Sequence, residues 1–203
     1  MIFKDREGAG EELSVKLLQN KNLFKNRKNS IIISLLRGGV VVGRIIEKRL
    51  KIRHIPLAVA KISAPYNPEL AIGAVCFEMI YLQKHIIREL HLQKEEINRQ
   101  ISLAQIKHKE YIQRYKLQNV QYEEELNNKI VIIVDDGAAT GATIRMALEF
   151  VVSKKAKKTI LALPVSPRDF DASGFNQVII FHQEQYFSSV SRFYENFPQE
   201  GEL

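Results

Sequence analysis

Apolar residues are distributed unevenly along the 203-residue chain. Five short runs rich in β-branched and aliphatic side chains stand out: 31–35 (IIISL), 55–60 (IPLAVA), 130–134 (IVIIV), 159–163 (TILAL) and 178–181 (VIIF). They are continuous rather than alternating, as strands covered on both faces are. Between them the period changes to that of helices. Residues 40–50 follow the first run, and 142–152 follow the third with Ile144, Leu148 and Val151 on one face. A third helix is expected from about Lys84 to about Lys116, with Ile97, Ile101, Ala104, His108, Tyr111 and Tyr115 in one seam. That seam is expected to cover the sheet, a dimer contact being the other reading, with His108 packed rather than ligating. Strand, loop, helix and strand in repetition predict an α/β fold: a mostly parallel sheet of five to six strands with helices on both faces. Ligands of such sheets sit at the carboxyl ends of the strands.

Composition narrows the classes. The 30 Lys and Arg outnumber the 23 Asp and Glu, a formal charge of +7, and the excess is spread along the chain. This suits an anionic partner without naming one. Cys76 stands alone, so no internal disulfide or cysteine-rich zinc site can form. It reads as a small buried hydrophobe in a reducing compartment. The N-terminal segment is charged where an export signal needs an apolar core, and the stretch around LAIGAVCFEMIYL is interrupted by Glu78. A soluble, cytoplasmic protein without a membrane partner is expected.

The stretch KIVIIVDDGAATGATIRMAL places Asp135 and Asp136 at the carboxyl end of the third run. Small residues follow and lead into a helix. Such a turn aims unpartnered N–H groups at one spot, assisted by the helix dipole and by the hydroxyls of Thr140 and Thr143. That is a cradle for phosphate. Two carboxylates would repel the phosphate itself, so they should face adjacent hydroxyls of the same ligand. A capped strand-to-helix turn would explain one Asp, but not both together with Thr-Gly-x-Thr. No Lys precedes Thr143 and Gly-x-Gly-x-x-Gly is absent, which excludes a Walker loop and a dinucleotide fingerprint.

The order apolar run, Asp-Asp, three small residues, Thr-Gly-x-Thr resembles the signature of the type I phosphoribosyltransferases. The resemblance implies that Gly137, Ala138, Ala139, Thr140, Gly141, Ala142 and Thr143 hold the 5′-phosphate of phosphoribosyl pyrophosphate (PRPP). Asp135 and Asp136 would then take the ribose 2′- and 3′-hydroxyls. In the same way Arg37, Gly38 and Gly39, after the first run, resemble the family's pyrophosphate loop. VAKISAPYNPELAIGAV, residues 59–75, holds Pro65, Asn67 and Pro68 and is expected to be a loop without regular structure. It resembles the family's mobile loop, with Lys61 at the position that meets the diphosphate. FKDREGAGEEL, LALPVSP and RFYENFPQ extend the likeness, over nearly the whole chain, to an uncharacterised phosphoribosyltransferase-like subfamily.

Four positions depart from that pattern: Leu36 where Pro is usual, a missing Pro at Val41, Ala60 in place of Arg, and Tyr66 in place of Gly. Ala139 stands where enzymes acting on 6-oxopurines carry Asp. The reading is one phosphoribosyltransferase domain over 1–203, with a hood from about 1–28 and 182–203. It would transfer phosphoribosyl from PRPP to an unidentified small-molecule acceptor, a nucleobase being one candidate, in nucleotide metabolism. Asp135, Asp136 and Lys61 are the catalytic candidates. Mg²⁺ is expected through PRPP and water, with Asp135 and Asp136 the nearest protein groups. No nucleic-acid partner is expected, and a homodimer is allowed. The alternatives are a PRPP sensor without turnover and a protein of this fold acting on another sugar phosphate.

Overall fold

The computed structural model describes residues 2–198. The elements run α1 (Arg6–Leu18), α2 (Lys21–Lys25), β1 (Ser30–Leu35), α3 (Gly39–Leu50), β2 (His54–Leu57), β3 (Ala60–Ala64), β4 (Asn67–Cys76) and β5 (Met79–Leu82). They continue with α4 (Lys84–Glu89), α5 (Lys94–Tyr115), α6 (Asn119–Leu126), β6 (Ile130–Val134), α7 (Ala142–Ser153), β7 (Lys158–Pro167) and β8 (Gln177–Glu184). Five strands form one sheet in the order β2-β1-β6-β7-β8, every neighbouring pair parallel. Each of the five apolar runs supplies one of these strands.

The continuous runs still obey a period of two, because both faces are apolar. Ile32, Ile132 and Ala162 pack with Leu13 and Leu17 of α1 and Val42 and Ile46 of α3. Ile31, Ile33, Val131, Ile133 and Leu161 pack on the opposite side with Tyr122 and Leu126 of α6 and Ile144 and Phe150 of α7. Burial of side chains this size stabilises by about 1.5–3 kcal/mol each. Pro56 lies in edge strand β2, where a missing N–H is tolerated, and its carbonyl accepts the Tyr122 hydroxyl at 2.7 Å. On α3, Gly43 leaves room for the buried His54, whose Nε2 lies 2.6 Å from Ser34 Oγ.

Two expectations are corrected. Residues 59–75 are not an irregular loop: they form an antiparallel hairpin, β3 with β4, which β5 extends to a three-stranded sheet. Pro65 and Tyr66 are the turn itself. Pro68 falls in the exposed distal part of β4, beyond the Gly73–Cys76 segment that pairs with β5, so it interrupts no ladder there. Residues 84–116 are not one helix either. The chain leaves α4 with His91 at φ 51° and restarts at α5, where Gln93 and Glu96 form a reciprocal capping box. The α5 seam covers the small sheet rather than the parallel one: Ala104 and Ile101 pack with Ile62, Ile72 and Val75. His108 is buried and accepts the Phe77 N–H at 3.0 Å, a structural histidine. Among the described residues no helix is long and apolar enough to cross a membrane.

Candidate active site

From β1 the chain moves to β2 on one side, whereas β6, β7 and β8 build on the other. The carboxyl ends of β1 and β6 are therefore the point where strand order reverses, which is where open α/β sheets bind ligands. Both halves of the motif lie there. Asp135 and Asp136 directly follow β6; Arg37 and Gly38 lie between β1 and α3, which begins at Gly39, and the Leu36–Arg37 peptide bond is cis.

The two loops touch. A Cβ built on Gly38 would stand 1.9 Å from Asp136 Oδ2, and one on Gly39 would stand 2.8 Å from Asp135 Oδ1. Only glycine fits at either place. Asp136 is held from three directions. Its own N–H donates to Asp135 Oδ1 at 2.9 Å, the Arg6 Nε–H donates to its Oδ2 at 2.7 Å, and the Tyr194 hydroxyl donates to its carbonyl at 2.5 Å. Burial pushes the Asp135 carboxyl well above the usual range, and the Asp136 charge adds to this. Burial also raises Asp136, but the Arg6 guanidinium pulls it back, so the charge of the pair resides on Asp136.

After the pair, the turn leads into α7 through Gly141, at φ 75°, and among the described residues no side chain caps the helix. Within those residues its first-turn N–H groups thus have no side-chain acceptor of the usual kind. Ala139 and Thr140 are exposed, whereas Ala138 is buried and its N–H donates to the Val165 carbonyl at 3.1 Å. The Ala138 amide is therefore already committed. Gly141 owes its identity to φ and to Phe170: an added Cβ would stand 2.8 Å from that ring, not in the space beside the turn.

A cleft of about 380 Å³ opens on the turn, with Gly137–Gly141 and Thr143 on one side and Lys61 and Glu69 of the hairpin across from them. Ser188, Ser189, Val190, Ser191 and Phe197 of the C-terminal segment close the third side. Lys61 Nζ donates to the Glu69 carbonyl at 3.3 Å, and burial lowers its pKa, with Glu69 opposing. Ala60, next to it, points the other way and is buried in the core of the small sheet. A cation missing at position 60 of this chain is therefore not missing from the cleft. Tyr66 is 87% exposed at the hairpin tip, its hydroxyl donating to Glu96 at 3.0 Å. A second hollow, about 310 Å³, lies on the far side of the turn between Tyr81, Arg145 and Phe170.

The sequence reading missed Arg6, Tyr194, Phe197 and the three serines. Arg6, Tyr194 and Phe197 fall in FKDREGAGEEL and RFYENFPQ, which carried the family likeness but assigned no role to single residues, and the three serines lie in no motif. Phe3 bridges to Tyr194, which brings the segment before α1 and the segment after β8 together beside the site.

A parallel sheet whose reversal point joins a glycine turn to a paired-carboxylate, small-residue turn is the architecture of one class. Comparison with known proteins supports a type I phosphoribosyltransferase domain in this chain. Residues 80–172 match the phosphoribosyl transferase domain family. The "Putative phosphoribosyl transferase" of Mycobacterium tuberculosis H37Rv is 31% identical over 202 residues, 98% of this chain and 44% of that protein. The chain thus spans less than half the length of this curated relative. The crystal structure of TT1426 from Thermus thermophilus superposes with a TM-score of 0.68 at 25% identity, covering 98% of this chain and 93% of that one. A hypoxanthine-guanine phosphoribosyltransferase from Bacillus anthracis shares the fold, with a TM-score of 0.53 at 12% identity over 97% of this chain and 94% of its own.

Proposed function

We propose that this domain binds PRPP in the cleft and transfers its phosphoribosyl group to a small-molecule acceptor, releasing pyrophosphate, with nucleobases the first class to test. The contact between the Gly38–Gly39 turn and the Asp135–Asp136 pair carries this reading. It sets the groups suited to diphosphate beside those suited to ribose hydroxyls. Lys61 lines the adjoining cleft with Gly137–Gly141 and Thr143, whereas Arg37, Gly38, Gly39, Asp135 and Asp136 are not among the residues that line it.

In this reading the amides of Ala139 to Thr143 and the hydroxyls of Thr140 and Thr143 hold the 5′-phosphate. Asp135 and Asp136 accept the ribose hydroxyls, and their charge offsets the positive character that grows at C1′ as its bond to the diphosphate lengthens. Arg37 and Lys61 face the leaving oxygens. The hydroxyls of Ser188, Ser189 and Ser191 line the side from which an acceptor would approach. Catalysis is placement plus electrostatic stabilisation. The donor set fits Mg²⁺ held mainly by substrate: the nearest protein groups are two carboxylates, suited to outer contacts through water. Mg²⁺, when bound, would neutralise charge on the departing diphosphate. Ala60, buried away from the cleft, favours this reading over a sensor that has lost a catalytic cation.

The test is pyrophosphate release from PRPP and Mg²⁺ with each nucleobase in turn. Release with one base and its loss in Asp135→Asn support the reading. Tight PRPP binding with no release from any base would favour the sensor.

A further inference from the structure

Arg6 occupies an electrostatically poor place. It is the first residue of α1, where the helix dipole disfavours a cation, and it is only 6% exposed. A buried guanidinium is tolerated only when its donors are satisfied. Here Nε–H donates to Asp136 Oδ2 at 2.7 Å, a terminal N–H donates to the Pro198 carbonyl at 2.7 Å, and the guanidinium carbon lies 3.7 Å from the centre of the Phe197 ring. The same Phe197 lines the cleft. One side chain thus touches the second carboxylate of the pair and the segment that closes the third side.

We propose that Arg6 is the positioning residue for the ribose-binding carboxylate: it fixes Asp136 by one oxygen and braces the C-terminal segment against it. The proposal rests on the ribose reading of the acid pair. Burial disfavours the ionised form of Asp136, and the Arg6 guanidinium on Oδ2 opposes this, so it both keeps the charge of the pair on Asp136 and holds that carboxylate in place. A carboxylate offers about four acceptor positions on two oxygens, so engagement of Oδ2 by Arg6 leaves Oδ1 with acceptor capacity for a hydroxyl. Arg is suited to this because its planar fork serves the carboxylate and the carbonyl at once while its face stacks on the ring. Lys could supply the charge but neither the fork nor the stack.

The experiment compares binding of inorganic phosphate, ribose 5-phosphate and PRPP to the unmodified chain, Arg6→Met and Arg6→Lys by calorimetry. Arg6→Met should weaken ribose 5-phosphate and PRPP about tenfold, the loss of one charge-assisted contact network, and leave phosphate unchanged. Arg6→Lys should recover part of the loss. A role limited to packing would weaken all three ligands together and overturn the proposal. Equal ribose 5-phosphate binding in Arg6→Met would also overturn it, as would tighter binding, which would make Arg6 a competitor of the sugar. Should Arg6→Met fail to fold, Arg6→Lys decides: a loss confined to the ribose ligands supports the role, and no loss refutes it. An unmodified chain that binds phosphate but not ribose 5-phosphate would overturn the ribose reading and this proposal with it. That pattern is distinct from failure of Arg6 alone, in which the unmodified chain binds ribose 5-phosphate normally.

Discussion

Gly38 and Asp136 share space that a single methyl group would fill: a Cβ on Gly38 would stand 1.9 Å from Asp136 Oδ2 and 2.7 Å from Arg6 Nε. Neither neighbour can retreat without breaking the Arg6–Asp136 ion pair. Gly38→Ala should therefore destabilise by about 1–3 kcal/mol, the cost of overpacking. It should also weaken PRPP far more than inorganic phosphate. Urea unfolding and titration of both ligands check this, and normal PRPP affinity in a stable Gly38→Ala protein would contradict the site geometry.

The two carboxylates should respond oppositely to amidation. Burial raises Asp135, so its ionised form costs stability at neutral pH. Asp135→Asn should raise the melting temperature of the free chain by about 2–4 °C, equivalent to about 1 kcal/mol, while lowering PRPP affinity. Asp136→Asn leaves the Arg6 guanidinium buried without its counter-charge and should destabilise by about 3 kcal/mol. Equal melting temperatures for the two variants would count against the unequal division of charge.

Lys61 separates binding from chemistry. Its ammonium lines the cleft with the Gly137–Gly141 turn and is tethered to Glu69. If it meets the diphosphate more strongly as that group departs, Lys61→Met should lower kcat by about tenfold or more with a smaller change in PRPP affinity. A change in KM alone would assign Lys61 to ground-state binding.

Acid should find a weak point far from the cleft. Burial, with Arg44 nearby, lowers the His54 pKa to about 4 from an ordinary 6.5. The unfolded chain therefore takes up a proton that the folded chain declines. Stability should fall as the pH drops from 6.5 towards 4, by up to about 1.4 kcal/mol per pH unit, and level off below. Ser34, 2.6 Å from Nε2, offers the neutral ring a partner, while Glu47 at 3.8 Å from Nδ1 moderates the effect. His54→Gln should flatten this part of the stability profile.

The parallel sheet was legible because Ile130 to Val134 and its counterparts are buried on both faces, which leaves little freedom for any other reading. The acid pair and its small-residue turn were legible because a local motif carries them. The hairpin was not, since Pro65, Asn67 and Pro68 resemble breakers until one sees that they occupy its turn and exposed end. The helix break at Leu90 to Gln93 was hidden by apolar spacing that continues through it, while the capping pair Gln93 and Glu96 is a weak signature. Arg6 and Tyr194 stand 130 and 58 residues from Asp136. Nothing local announces a partner at that distance.

The placement of Gly38 and Asp136 just beyond the ends of neighbouring strands β1 and β6 also has a kinetic consequence. The whole excursion through β2, the hairpin sheet and α4 to α6 lies between them. Closing so long a loop must precede their contact, so the ligand-binding crevice is expected to assemble late, after much local structure has formed. During synthesis the glycine turn leaves the ribosome about a hundred residues before its acidic counterpart. For that interval the nascent chain carries only half of the proposed recognition surface, and on the proposed function a sugar phosphate would stabilise the fold only once β6 has docked beside β1.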